Sequence, residues 1–303
     1  MDTTRDSSDG SLIDESVHGV PHPALRPFVA WYSGYRQAGV APARHRGLPS
    51  PYLTLILTLD DPLTLIAHPD RSQAPGDYRV LLGGLHTSPA LISHDGWQSG
   101  VQIAVGPLGA RILLGVPAGE LAGADFDADD VLGPQVLEAR ERMRLASGWR
   151  ERFAILDDWL LRRAADHVGS VPSPEVVRAW EVLLRTGGTA GVADLADEVG
   201  WSARHLSGRF ATEIGLSPKA SARVIRFDRA RRRLAGRVRR GPLDLWPDAA
   251  PTRGIGLAEL AVDCGYFDQP HLDREFGALA GCPPVAWVAE EFRNIQAGAH
   301  EPG

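Results

Sequence analysis

Cysteine is nearly missing from this chain: Cys264 and Cys282 are the only two in 303 residues. Two thiols cannot build a disulfide framework, so the fold has to rest on apolar burial in a reducing compartment, which excludes a secreted mini-scaffold. Long hydrophobic runs are missing too. The stretch LTLILTL from Leu53 to Leu59 falls far short of the roughly 20 residues that a membrane-spanning helix needs. The opening MDTTRDSSDGSLIDES is polar and acidic, without the basic segment and apolar run of a signal peptide, so a cytoplasmic chain with no membrane partner is expected. Catalytic signatures are equally scarce. There is no phosphate loop, nucleophile elbow or dinucleotide fingerprint, and the pair Gly83-Gly84 reads as a turn. His45, His68, His86 and His94 show neither the close spacing nor the accompanying cysteines of a zinc site. The expectation is therefore no enzyme, no metal and no cofactor.

Positive charge is in deficit as well. A net charge of −6 taken alone argues against a nucleic-acid partner. Its distribution says otherwise. Residues 171–303 hold 17 Lys plus Arg against 17 Asp plus Glu, so the acidic excess lies in residues 1–170, with 15 against 21. Between Arg223 and Arg240 stand nine arginines and one acid, Asp228, a local positive stripe whose partner can be phosphate.

What is present is a soluble composition, 44% hydrophobic and 23% charged, with room for about two domains. Residues 1–20 read as a disordered tail and 294–303 as another, because their apolar content is too low to offset ordering entropy. From Pro49 to Val105, short β-rich runs (YLTLILTL, LTLIAH, YRVLLGG, GVQIAVG) are separated by turn residues, which points to antiparallel sheet. Helical spacing follows over Pro134–Leu145 and Trp149–His167. The segment GSVPSP, Gly169–Pro174, marks the boundary between a β-rich domain over 21–170 and a helical domain over 174–293. The fold class is thus α+β.

The helical part contains an internal repeat. VADLADEVGW at 192–201 matches LAELAVDCGY at 257–266, displaced by 65 positions. After one extra residue in the second turn, Leu206, Phe210, Gly215 and Pro218 pair with Leu272, Phe276, Gly281 and Pro284. Each copy spells a short helix, a glycine suited to positive φ (Gly200 or Gly265), a capping residue (Ser202 or Asp268) and a second helix. Between the copies, Ser217-Pro218 opens a helix running to about Ala235, long enough at about 28 Å to approach the spacing of successive major grooves. Cys264 occupies a core position of the second copy, and Cys282 sits in a turn, so both read as structural thiols.

These residues resemble the AraC/XylS family of bacterial transcription regulators. The resemblance spans about Val176 to Phe292 and rests on LADEVGWSARHLSGRFATEIGLSP, the bridging RFDRARRRL and LAELAVDCGYFDQPHLDREFGALAGCPP. It implies two helix-turn-helix units joined by a long helix, reading neighbouring major-groove segments of double-stranded DNA. The family's base-reading positions fall on Arg204, Ser207 and Gly208, and on Gln269, Pro270, His271 and Arg274. Gly208 and Pro270 have no group to offer a base edge. Arg204 and Arg274 suit guanine, Gln269 suits adenine, and Arg209 suits phosphate. Asp273 and Glu275, acids on the second reading helix, depart from what phosphate docking wants. The connection from Gly236 to Gly254 is longer than usual between packed helices and reads as a surface loop.

The resemblance further implies an N-terminal cupin-like β-domain that senses a small-molecule effector or forms a homodimer, with RNA polymerase as a partner if the protein activates. Trp31, Tyr35, Tyr52, His86 and Trp97, together with Tyr32, are the aromatic and imidazole groups expected near a pocket. Two other classes compete with the regulator. One is a small-molecule enzyme domain fused to a DNA-binding module; the other is a protein-interaction module that has lost its DNA affinity.

Overall fold

The computed structural model describes residues 12–167, 169, 171–240 and 256–290. The expected tails outside these limits, positions 241–254 of the loop expected from Gly236 to Gly254 and the end of the helical domain at 291–293 lie outside the described residues, whereas Gly236 to Arg240, expected to open that loop, continue the helix Pro218–Arg240 that was expected to end near Ala235.

The chain folds as α+β, with two antiparallel sheets followed by helices. The first sheet has the order β1 (Ile13–Gly19), β2 (Val29–Ala38), β9 (Gln98–Val105), β4 (Leu53–Thr58), β7 (Val80–Gly83), β10 (Asp125–Asp127). The second runs β3 (Ala43–Gly47), β8 (Ala90–His94), β5 (Leu63–Ala67), β6 (Gly76–Tyr78). Residues 13–19 are thus an edge strand paired with β2 from Ile13↔Ala38 to Gly19↔Tyr32, rather than part of a tail.

The unbroken apolar run of β4 follows from burial on both faces. Leu53, Leu55 and Leu57 join Leu82, Val101 and Ile103 in the core beneath the helices. Ile56 turns the other way, with Leu81, toward Leu65 and Ile92 of the second sheet. Four helices cover the outer face: α1 (Ala110–Leu114), α2 (Ala128–Leu132), α3 (Gln135–Leu145) and α4 (Trp149–Asp166). Their closeness to the sheet requires glycine in it. A Cβ on Gly34 of β2 would come within 2.4 Å of the Trp149 ring, and one on Gly19 within 2.9 Å of Phe153. Tyr32, buried under α4, donates its hydroxyl to Asp157 at 2.8 Å, so this aromatic belongs to the core and not to a pocket.

Beyond residue 171 come α5 (Pro174–Arg185), α6 (Val192–Glu198), α7 (Ala203–Ile214), α8 (Pro218–Arg240), α9 (Leu257–Asp263) and α10 (Gln269–Ala280), with a last helical stretch at 284–290. The boundary expected near Gly169–Pro174 does not separate two cores. Leu195, Ala196, Leu206, Phe210 and Ile214 of α6 and α7 share one continuous apolar cluster with the helices and outer sheet face of the β-domain. A separate cluster holds α9 and α10: Leu260, Ala261, Cys264, Leu272 and Phe276, with Trp287. The helix α8 is a splint between them, giving Ala222 and Ile225 to the first cluster and Val224, Phe227, Ala230 and Leu234 to the second.

Candidate nucleic-acid interface and cavity

Both copies of the repeat form the expected pair of helices. In the first, Gly200 takes φ +70° to end α6, and Ser202 Oγ accepts a hydrogen bond from His205 N at 3.2 Å to start α7. In the second, Gly265 takes φ +80° and Asp268 caps α10 through His271 N at 2.8 Å. Leu206 and Phe210, like Leu272 and Phe276, are buried on the inner face of the second helix of each pair.

On the outer face of α7, Arg204, Gly208 and Arg209 are exposed and Ser207 is half-buried. Neither arginine makes an ion pair within the described residues, so both are available to an anion. Gly208 has nothing within 4 Å of where a side chain would begin, and it is an open position on that face. On α10, Arg274 is exposed and unpaired among the described residues, while Gln269 is half-buried. His271 is turned into its own unit. Its Nδ1 accepts from Phe267 N at 3.3 Å and its ring lies edge-on to Tyr266, with centroids 5.3 Å apart. Phe267, the extra residue of the second turn, is 88% exposed.

The arginine stripe of α8 is not a free phosphate surface. Arg223 and Arg226 both bind Glu275 of α10, at 3.0 and 3.1 Å. Arg231 and Arg232 close on the buried Asp228, and Arg233 on Asp263 of α9 at 2.9 Å. The acid that departed from expectation, Glu275, is therefore a clasp between α8 and α10 and does not face outward. The side chains of Arg237, Arg239 and Arg240 lie outside the described residues.

The two pairs meet the β-domain differently. Glu213, buried at the inner end of α7, takes a two-pronged hydrogen bond from Arg111 of α1, at 2.7 and 2.9 Å. Beside it the short turn Ala118–Leu121 lies against the backbone of α7, where a Cβ on Gly119 would come within 2.2 Å of the Thr212 carbonyl oxygen. The second pair is tied by side chains: Arg46 of β3 pairs with Glu290 in the last helix, and the Arg232 guanidinium sits over the Tyr52 ring, 5.9 Å from its centre.

Between the two sheets lies a cavity of about 700 Å³. Trp31, Tyr35, Tyr52 and His86, four of the five expected pocket residues, line it; Trp97 lines a smaller space of about 440 Å³ that shares Tyr35, His94 and Gln98 with the first. Arg231 and Arg232 of α8 and Trp287 of the last helix also line the larger cavity, so it is walled in part by the helical domain. Sequence reasoning missed Asp125 of β10 and Gln98 and Gln102 of β9, which line the cavity as well. Burial, with His94 nearby, lowers the His45 pKa to about 4, and burial also lowers those of His86 and His94. Burial raises the Tyr35 hydroxyl above its ordinary range. The imidazoles of the cavity are therefore neutral at pH 7.

Comparison with known proteins gives a match to a family described as a domain of unknown function (DUF6597) over residues 18–127, within the β-domain. No curated protein matches the chain. Among solved structures the chain is similar to ToxT from Vibrio cholerae O395, at 11% identity over 86% of this chain and 96% of that one, with a TM-score of 0.47. The P21 crystal form of ToxT gives 10% identity and a TM-score of 0.48, over 86% of this chain and 97% of that one. ToxT of strain SCE256 with bound unsaturated fatty acid gives 11% and 0.46, over 85% and 94%. Likeness at this level says nothing of function, which has to be argued from the residues of this chain. No helix among the described residues is long and apolar enough to cross a membrane.

Proposed function

We propose that this chain is a sequence-specific DNA-binding transcription regulator of the AraC/XylS type, not an enzyme, and that its β-domain cavity takes a small effector. The observation that carries the reading is the outer face of α7. A capped helix presents Arg204 and Arg209 to solvent without internal partners, in a helix pair that recurs once in the chain. A guanidinium fork at the N-terminal end of such a helix suits guanine O6 and N7, and one a turn further on suits the phosphate backbone. The first unit is the stronger reader. In the second, Arg223, Arg226, Arg231, Arg232 and Arg233 of α8 are paired with Glu275, Asp228 and Asp263, leaving Arg274 and Gln269 to approach a base edge.

The exposed Val262 and Phe267 favour a second reading for that unit alone, as a surface for a protein partner. An effector acts on the second unit more directly than on the first, because Arg231, Arg232 and Trp287 line the cavity and Trp287 packs in the core of that unit. Selection of bound duplexes from a random-sequence pool tests the reading. Wild-type protein should enrich one consensus, with affinity that falls steeply as salt rises. Arg204→Ala should relax one position at a cost of about 1–3 kcal/mol, whereas Arg209→Ala should weaken all duplexes alike. No enrichment by the wild type, at low salt or high, would overturn the proposal.

A further inference from the structure

One corner of the cavity holds acceptors that nothing among the described residues satisfies. Asp125 on β10 is 7% exposed and lines the cavity. Its Oδ2 is committed to His68 Nδ1 at 2.7 Å, and its backbone is clamped by the Gln73 side chain, which donates to the carbonyl at 2.9 Å and accepts from the amide at 3.0 Å. The far side of His68, Nε2, meets the Tyr78 hydroxyl at 3.3 Å. The carboxylate is thus locked in place from behind.

Its other oxygen, Oδ1, receives no hydrogen bond from the described residues. Gly83, its partner across the β7–β10 ladder, leaves that oxygen open, since a Cβ at Gly83 would come within 2.9 Å of it. A second acceptor lines the same cavity. His86 Nδ1 lies 2.6 Å from the Ser88 carbonyl oxygen and so must donate to it. On the neutral ring, Nε2 is left as a bare acceptor, and Asp125 is close enough for its charge to act on that ring. A fixed carboxylate oxygen and an imidazole nitrogen, both without a protein donor among the described residues, thus belong to residues that line the cavity together with an apolar wall of Ile56, Leu81 and Ile92, and each can accept from a ligand that enters.

We infer that this corner is the head-group subsite of the cavity and that its ligand is a small amphiphile whose primary ammonium or hydroxyl donates to Asp125 Oδ1 and His86 Nε2, with its apolar part along the sheet wall. The inference rests on the reading of the cavity as an effector chamber. It is independent of whether the helix pairs bind DNA, so the duplex selection and the experiment below fail separately.

Octylamine, octanol and octanoate share one chain and differ in the head. Each is titrated into the full-length protein and followed by tryptophan fluorescence, since Trp31 and Trp287 line the cavity. Octylamine or octanol should bind about tenfold more tightly than octanoate, the worth of a hydrogen bond to a charged acceptor. Preference for the amine identifies an ammonium ligand; equal strength for amine and alcohol identifies a hydroxyl ligand. Asp125→Ala should erase the difference. Gly83→Ala should do the same by placing a Cβ within 2.9 Å of Oδ1, which covers the case in which Asp125→Ala does not fold. Equal binding of all three probes, preference for octanoate, no binding at all, or a preference that survives Gly83→Ala would overturn the assignment.

Discussion

The two helix pairs share a sequence pattern, a glycine turn and a capped second helix, yet they are held in opposite ways. The first is fused to the β-domain through a common apolar cluster, the Arg111–Glu213 pair and a backbone contact at Gly119 that admits no side chain. The second has its own small core, against which Leu48 of the β-domain packs, and otherwise reaches that domain through the Arg46–Glu290 pair and the Arg232–Tyr52 contact. Equal motifs therefore do not imply equal mobility. The number of close-packed surfaces decides which pair can respond to what fills the cavity.

The largest effects should come from the matched ring deletions Phe210→Ala and Phe276→Ala, each costing about 3–5 kcal/mol at a fully buried site. In urea melts followed by hydrogen exchange, the first should destabilise the whole molecule in one transition. The second should give an early, separate transition confined to α9 and α10. One shared transition for both variants would erase the distinction between the pairs. Next in size is Gly119→Val, which puts a side chain where the Thr212 carbonyl oxygen lies and should lower stability by about 2–3 kcal/mol through overpacking. Exchange protection should be lost at the α7 end and kept in α10.

Acid sharpens the comparison further. His45 has its folded pKa lowered to about 4 from 6.5, so between these values the unfolded chain binds more protons and stability falls as pH falls through that window, with no further loss below it. The expected loss is about 2 kcal/mol, less than the full shift would give because the ring lines the cavity. Since His45 precedes Arg46, the tether to the last helix, the second pair should loosen first. Melts at pH 6.5 and 4 with His45→Gln as control measure it, and an identical pH dependence in that variant would rule out the imidazole as the cause. The smallest effect is Gly208→Ala. It removes a mid-helix glycine from an open face and should add about 0.5–1 kcal/mol without altering the consensus selected from duplexes.

Local chemistry was legible in the sequence. Glycine turns, caps and four-residue apolar spacing announce the helix pairs because every contact that shapes them lies within a few residues. β2 was harder to read, because Gly34 interrupts its alternation to make room for the Trp149 ring, a partner far along the chain. The arginines between 223 and 240 read as a phosphate stripe; Asp228, which takes Arg231 and Arg232, was visible three and four residues away, but a helix's own sequence does not reveal Glu275 and Asp263, which approach from α10 and α9. Gly83-Gly84 read as a turn. In the fold these glycines end β7, where a Cβ on Gly84 would overlap the Leu121 carbonyl and one on Gly83 would crowd Asp125. Four aromatic and imidazole groups were placed at the cavity by type alone, but Asp125 and its locking partner His68 stand 57 residues apart, and only the apposition of the two sheets unites them.

Continuity of apolar packing across Gly169–Pro174 also governs how the molecule can be divided. Cutting there would strip Trp180, Leu206 and Phe210 of their cover and bare the underside of the β-domain at the same stroke. Neither half is then a free-standing module, and grafting the helices onto a foreign sensor would succeed only if that sensor supplied a matching greasy socket.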